Sequence, residues 1–310
     1  MSESQQIDVL YELAEAQIER GNTAGAIDAL TQLLGQAPDE PRAHALLALA
    51  LVNQKRLHAA KHEASLALAA SPDDPLAHYV LGRVAVLQRR PKDAERHYQD
   101  ALALDPDATF VLRAMADLRL LQERRAEALK LLEEALASDP NDPSTMADLG
   151  DLHRREGRLD EGERLAREAL AISPEHQQAL VLMGRILLEH GHLEEAREHA
   201  LWALRQDPTD IQTLHFVAEL KARTNPLLGL WWRYSVWMQR LGETRQLLVV
   251  LGTWLLYRIS TQGANDLGAA GLATAMQVVW IAFVAYTWVG PSWFERAVRK
   301  ELEPVRLRPS

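Results

Sequence analysis

Histidine is the side chain in this sequence that is best suited to site chemistry, because the 310 residues include no cysteine. His58 and His62 stand four residues apart, a spacing that puts two imidazoles on one face of a helix, where they could share a metal ion. The repeat described below places both on an outer face, so we interpret them as exposed surface. His190 and His192 flank Gly191 and are interpreted as turn residues. We therefore predict no metal site and no cofactor.

Catalytic motifs are missing from the sequence. It contains no glycine-rich phosphate loop, no G-x-S-x-G pattern and no H-E-x-x-H pattern. Its acidic side chains are spread along helix surfaces, where they serve solvation. The formal net charge is -9, and an acidic body does not attract the phosphate backbone of nucleic acids. We predict neither enzymatic activity nor nucleic-acid binding.

Prolines at a fixed spacing define the elements that position the remaining side chains. They recur every 34 residues, at Pro38, Pro72, Pro106, Pro140, Pro174 and Pro208. A fixed period of this length indicates a stacked structural repeat. Counting back from each proline gives six units, at 7–40, 41–74, 75–108, 109–142, 143–176 and 177–210.

Each unit is predicted to be a pair of closely packed helices, because certain positions are small in every unit. Position 8 holds Ala14, Ala48, Gly82, Ala116, Gly150 and Gly184. Position 20 holds Ala26, Ala60, Ala94, Ala128, Gly162 and Ala196. Position 7 is always large and fills the layer between the helices, as Leu13, Leu47, Leu81, Met115, Leu149 and Met183.

Glycine and proline mark the helix ends. Gly21, Gly157 and Gly191 occupy position 15, where the first helix must end and turn. Proline near position 32 stops the second helix, and the Asp or Ser that follows can cap the next helix.

This pattern over 7–210 resembles the tetratricopeptide repeat family. The resemblance implies an all-α solenoid of helix-turn-helix units that forms a right-handed superhelix. The aromatic residues usual at position 4 are replaced by Leu10, His44, His78, Leu112, Met146 and Leu180. Residues 211–222 look like the first helix of a seventh unit, with Leu214, Val217 and Ala218 facing back, so we predict a repeat domain over 1–222 that ends in a capping helix.

The resemblance also implies a concave groove lined by the first helix of each unit. The predicted partner-binding residues are Arg42, Leu49, Tyr79, Arg83, Phe110, Arg113, Arg154 and Arg185. Arginine and aromatic side chains suit a protein or peptide ligand that carries acidic groups. The alternative is that some of these arginines pair with neighbouring acids such as Asp117 and Asp151. The family's lysine–asparagine clamp for chaperone termini is not matched.

The C-terminal part of the chain is apolar and basic, which indicates a membrane anchor over 244–294. Residues 267–294 contain no charge, and we predict spanning helices at about 244–261 and 267–290. Basic residues precede the first helix and follow the second, and the loop between them has none. The positive-inside rule then favours a hairpin over a single span, with both termini and the basic tail 295–310 in the cytoplasm of a bacterial cell.

A tryptophan-rich joint over 223–243 connects the repeats to this anchor. We interpret it as an amphipathic helix lying in the headgroup region. The residues predicted at the membrane interface are Trp231, Trp232, Arg233, Trp237, Arg240, Trp293 and Phe294. The alternative is that the joint packs on the last repeat as an additional cap.

The sequence as a whole predicts a scaffold tethered to the bacterial inner membrane, which binds a protein partner at the cytoplasmic face. The alternative is an accessory or assembly subunit of a larger membrane complex, whose hairpin packs against other spans. An enzyme or transporter is the least favoured class. The partner, the pathway and the oligomeric state are not set by the sequence.

Overall fold

The computed structural model describes residues 3–19, 21–206, 210–224, 234, 237–238, 241, 243–266 and 269–306. Within these residues the regular structure is entirely helical. The helices are α1 (Glu3–Glu19), α2 (Thr23–Gln36), α3 (Pro41–Asn53), α4 (Leu57–Ala70), α5 (Pro75–Leu87), α6 (Pro91–Leu104), α7 (Thr109–Leu121), α8 (Arg125–Ser138), α9 (Pro143–Arg155), α10 (Leu159–Ile172), α11 (Gln177–His190), α12 (Leu193–Gln206), α13 (Ile211–Thr224), α14 (Glu243–Asp266) and α15 (Ala270–Arg306). They fall into two compact units, Met1–Leu152 and His153–Ser310.

In the first unit, consecutive helices form hairpins. Helix α1 packs on α2, α3 on α4, α5 on α6 and α7 on α8, while α5 also packs beside α3 and α7. The small residues predicted at the helix contacts are buried, which confirms their role. Alanines at position 20 in this unit are completely buried: Ala26, Ala60, Ala94 and Ala128.

Two glycines at position 8 make room for an aromatic ring. A Cβ on Gly82 would lie 2.3 Å from Cε1 of Tyr98, and in the second unit a Cβ on Gly184 would lie 2.5 Å from the Phe216 ring. Both rings are almost fully buried, at 1% exposure for Tyr98 and 0% for Phe216. The close approach at these positions is therefore between a helix backbone and a ring.

The residue at position 15 has a left-handed backbone conformation in all six 34-residue repeats. Gly21, Gly157 and Gly191 have φ of 71°, 82° and 87°, as the sequence predicts. The same position in the other three repeats holds residues with a side chain, namely Lys55 (φ 60°), Arg89 (φ 57°) and Glu123 (φ 62°). The architecture thus imposes this conformation even where the sequence does not provide glycine.

Aspartates that follow the repeat proline cap the next helix, which confirms the predicted cap. The carboxylate of Asp74 accepts a hydrogen bond from the backbone N–H of Leu76 at 2.9 Å. Asp142 accepts from the backbone N–H of Thr145 at 3.0 Å. Asp210 accepts from the N–H of Thr213 at 2.7 Å.

In the second unit, helix α13 covers the last complete hairpin. It packs against α11 and α12 and buries Val217 and Ala218, as predicted. Phe216, which the sequence analysis did not single out, is its most deeply buried aromatic residue. The seventh-unit helix therefore supplies the apolar face that the preceding hairpin needs.

Helices α14 and α15 pack on each other, and α15 also contacts α12 and α13. The rings of Tyr257 and Trp280 stack 4.9 Å apart and join the two helices. Phe283 of α15 meets Tyr234 edge-on at 6.0 Å. The C-terminal helices are thus attached to the last repeat helices, and α15 runs on into the segment that was predicted as a basic tail.

No helix within the described residues is long and apolar enough to cross a membrane. The spans predicted at 244–261 and 267–290 are therefore not confirmed. Of the predicted interface residues, Trp237 is half-exposed and its ring lies 6.4 Å from Tyr234. The others lie outside the described residues, or have side chains that do: Trp231, Trp232, Arg233, Arg240, Trp293 and Phe294.

Candidate partner-binding surface

Five of the predicted groove residues lie on three neighbouring helices of the first unit. Leu49 comes from α3, Tyr79 and Arg83 from α5, and Phe110 and Arg113 from α7. All five side chains are half-buried, and their helices pack side by side with α5 in the middle. We call this set the α5 surface.

Aromatic contacts connect the residues at the centre of the α5 surface. The Tyr79 ring meets Phe110 edge-on at 4.9 Å and lies 6.2 Å from the buried ring of Tyr98. The guanidinium of Arg83 lies over the Tyr79 ring at 5.7 Å and donates a hydrogen bond to Oδ1 of Asn53 at 3.1 Å. A cation held over an aromatic ring next to apolar area is the kind of anchor on which interface energy concentrates.

Arg113, at the edge of this surface, is ion-paired with acids of the same compact unit, Met1–Leu152. Its Nε donates to Oδ2 of Asp148 at 2.7 Å, and its Nη1 lies 3.9 Å from Oδ2 of Asp142. Burial raises the pKa of Asp148 in spite of the nearby Arg113 charge. Burial would also raise the pKa of Asp142, but hydrogen bonds from Thr145 and Ser144 and the Arg113 charge outweigh it and lower that pKa.

Other predicted arginines are also ion-paired. In the first unit, Nη2 of Arg42 lies 2.5 Å from Oε1 of Glu15, and its guanidinium sits 5.7 Å from the Tyr11 ring. In the second unit, Nη1 of Arg154 lies 2.5 Å from Oε1 of Glu189. Arg185 of α11 is half-buried and has polar interactions of its own. Arg42, Arg113 and Arg154 each pair with an acid from a neighbouring repeat, namely Glu15, Asp148 and Glu189, which lie 27, 35 and 35 residues away.

A second polar cluster, between α5 and α6, was missed by the sequence analysis. Nδ1 of His78 lies 3.4 Å from Nδ1 of His97 and 3.8 Å from Oδ2 of Asp100. Burial, followed by the charges of Arg96 and His78, lowers the pKa of His97. The available signal was a histidine at repeat position 4 followed by H-x-x-D on the second helix of the same unit.

His58 and His62 are exposed on a helix surface, as interpreted. His190 and His192 are also exposed and flank the turn at Gly191, as interpreted. The last two have rings 6.3 Å apart, and Nδ1 of His192 lies 3.3 Å from Oε1 of Glu195. Their geometry is that of solvated helix ends.

Family models match three parts of the repeat region. A model of the cilia and flagella-associated protein 70 middle TPR-like domain matches residues 112–222. Two models of the tetratricopeptide repeat match residues 2–50 and 75–108. No curated protein matches this chain.

Solved structures that are similar to this chain have low sequence identity to it. The hetero-tetramer Cut9–Hcn1 of APC/C is 15% identical with a TM-score of 0.54, over 69% of this chain and 46% of that one. The pilF protein of Pseudomonas aeruginosa is 22% identical with a TM-score of 0.49, over 70% and 99%. YrrB, described as a TPR protein with an unusual peptide-binding site, is 22% identical with a TM-score of 0.38, over 61% and 98%.

These structural likenesses concern the fold alone. The family models thus support tetratricopeptide repeats within residues 2–50, 75–108 and 112–222 of this chain.

Proposed function

We propose that this chain is a scaffold that binds a peptide or a protein segment on the α5 surface. The observation that carries the proposal is the group formed by Arg83, Tyr79 and Phe110. Its rings are held by packing, so they lose little conformational entropy when a ligand covers them. Tetratricopeptide repeats bind protein or peptide partners, and this surface offers both apolar area and a cation.

The chemistry of Arg83 favours a ligand with an acidic group. Its described contacts are with Asn53 and Tyr79, both neutral, whereas Arg42, Arg113 and Arg154 each face a carboxylate. The charge of Arg83 is therefore the one on this surface that a ligand carboxylate can pair with at least cost. We expect the ligand to place an acidic residue beside an apolar or aromatic one.

A charge reversal at Arg83 tests this proposal. Peptides should be selected from a random library on the wild-type chain, and their affinity measured for Arg83→Glu. We expect enrichment in acidic residues and a loss of at least about tenfold in affinity, as for a paired charge at an interface. Arg113 is not suited to this test, because Arg113→Glu would set three carboxylates together with Asp142 and Asp148 and would unfold the surface.

The matched control is Arg96→Glu, on the exposed face of α6 in the same repeat. It makes the same charge change away from the α5 surface, so it should leave affinity unchanged. Equal losses for Arg83→Glu and Arg96→Glu would show that only the net charge of the chain matters. Circular dichroism should be the same for all three proteins.

We further propose that α14 and α15 attach the scaffold to the cytoplasmic face of a bacterial inner membrane. The support is the exposed apolar area of these helices. Large apolar side chains are more than half-exposed on α14 and α15: Leu248, Leu251, Leu255, Leu256, Ile259, Leu272, Val278, Val279 and Ile281. An apolar patch of this extent marks an interaction with a membrane or with another protein.

Flotation with vesicles separates the two kinds of partner. The full chain should float with vesicles that contain anionic lipid, and a chain truncated after Ala222 should not. If the full chain stays in the dense fraction but is extracted from cells in a complex of fixed size, the exposed apolar area belongs to a protein interface. That outcome would favour the accessory or assembly subunit and would exclude direct tethering.

A further inference from the structure

The cluster of His78, His97 and Asp100 lies between the two helices of one hairpin. His78 is on α5, while His97 and Asp100 stand three residues apart on one face of α6. Each residue offers one ligand atom, and the three atoms lie within 4.8 Å of one another. The His78 side chain is 17% exposed and that of Asp100 is 47% exposed, so an ion can enter from solvent beside Asp100.

The preceding hairpin shows what the same two repeat positions do when they form an ordinary hydrogen-bonded pair. There the histidine is His44, whose Nδ1 lies 2.7 Å from Oε2 of Glu63 and whose Nε2 lies 2.8 Å from the backbone oxygen of Pro38. Both ring nitrogens are thus satisfied. In the following hairpin the two positions hold Leu112 and Leu131, which pack as apolar core.

The pair of His78 and His97 fits neither pattern. Two Nδ1 atoms 3.4 Å apart are too far apart for a good N–H···N hydrogen bond, and they repel each other if both carry lone pairs. A cation placed between them would accept both lone pairs at once. The geometry therefore suits ligation of a metal better than mutual hydrogen bonding.

The distances agree with the size of a tetrahedral zinc site. Zn²⁺ binds histidine nitrogen at about 2.0–2.1 Å, which sets two tetrahedral nitrogens about 3.3–3.4 Å apart. The observed separation of the two Nδ1 atoms is 3.4 Å. Oδ2 of Asp100 lies 3.8 Å from Nδ1 of His78, and this exposed side chain has only a short distance to move to reach the ion.

We propose that His78, His97 and Asp100 bind one first-row transition-metal ion, Zn²⁺ being the species whose size they match, with water in the fourth position. Two imidazoles and one carboxylate are a ligand set that suits such an ion. The ion would join α5 to α6 beside Tyr79 and Tyr98. The site does not depend on peptide binding at the α5 surface.

Titration with Zn²⁺ alone, by calorimetry on the metal-free full chain, tests the site. We expect one high-affinity ion per chain and a rise in the melting temperature, since the ion binds the folded hairpin. Replacing both histidines, His78→Leu with His97→Leu, should weaken binding by at least about tenfold. Leucine stands at both positions in the next hairpin, so this variant should fold; circular dichroism checks that it does.

Two controls decide where the ion sits. His58→Ala with His62→Ala removes the other histidine pair and should leave Zn²⁺ affinity unchanged. Co²⁺ bound to the wild-type chain should show the visible absorption bands of a tetrahedral ion with nitrogen ligands, and the double leucine variant should not. Affinity that survives in the leucine variant, or that disappears in the His58/His62 variant, would overturn the proposal.

Discussion

The absence of a side chain at Gly82 allows α5 and α6 to pack closely in the third hairpin. The ring of Tyr98 occupies the space that a Cβ would need. Tyr98 cannot move aside, because it is only 1% exposed and packs in the core of the first unit. Burial also raises the pKa of its phenol above the ordinary value. The size of the side chain that fits at position 82 is therefore limited by the ring of Tyr98.

We predict that Gly82→Ala lowers the free energy of unfolding by about 1–3 kcal/mol, the usual cost of overpacking a filled core. The matched control is Gly35→Ala on α2, where a Cβ would meet nothing within 4 Å. It should raise stability by up to about 1 kcal/mol, because alanine is the better helix former. Urea unfolding of both variants measures the difference. A neutral Gly82→Ala would mean that the helices can separate at this point.

Position 15 gives the opposite prediction, since here glycine is missing where the backbone favours it. Glu123 has φ of 62°, a conformation that costs a residue with a Cβ about 1–2 kcal/mol. We expect Glu123→Gly to raise the free energy of unfolding by about 1 kcal/mol and Gly157→Ala to lower it by about as much. The melting temperatures should shift in the same directions. If both substitutions shift stability in the same direction, the turn geometry is not the cause.

Residues whose role is local could be predicted from the sequence. The turn glycines, the capping aspartates and the small helix contacts depend on chain neighbours or on the repeat itself. The facing histidines could not be predicted in the same way, because residues 19 positions apart meet only after the hairpin has formed. Phe216 was missed for a similar reason, since its ring enters the space of a glycine on another helix.

At the scale of the helix, the start of α9 joins a cap to an ion pair. Asp142 accepts hydrogen bonds from the N–H groups of Ser144 and Thr145 and lies 3.9 Å from Arg113 of α7. Asp142 is the last residue of its repeat. Its carboxylate caps the helix of the next repeat and also lies beside Arg113 at the edge of the α5 surface. The sequence predicted the cap, and it offered Asp117 and Asp151 as acids for the arginines, whereas Arg113 is found beside Asp142 and Asp148.

The lowered pKa of Asp142 gives this cap a defined pH dependence. Because the pKa is lower in the folded chain, the carboxylate stabilises the fold above its unfolded pKa of about 3.9, and this contribution is lost as the pH falls through the folded pKa. We predict that Asp142→Ala costs about 1–2 kcal/mol at pH 7. The difference from wild type should shrink below about pH 4, as measured by urea unfolding across pH. A difference that stays constant down to pH 2 would contradict this account.

At the scale of the whole molecule, we propose two surfaces as partner sites. The α5 surface combines packed aromatic rings with a cation, whereas α14 exposes apolar side chains between Leu248 and Ile259 and α15 between Leu272 and Val284. Repeats and C-terminal helices could both be recognised in the sequence from periodicity and apolar run length. The attachment of α15 to α12 and α13 could not, since it depends on which repeat faces remain uncovered.

Photocrosslinking in living cells tests the scaffold proposal most directly. A photoreactive phenylalanine analogue should replace Tyr79 on the α5 surface in one variant, which keeps the Arg83 cation, and Arg96 on α6 in another. We predict that position 79 crosslinks to one discrete protein partner and that position 96 of the same repeat does not. The same crosslinks at both positions, or a discrete partner at position 96 alone, would contradict the assignment of partner binding to the α5 surface.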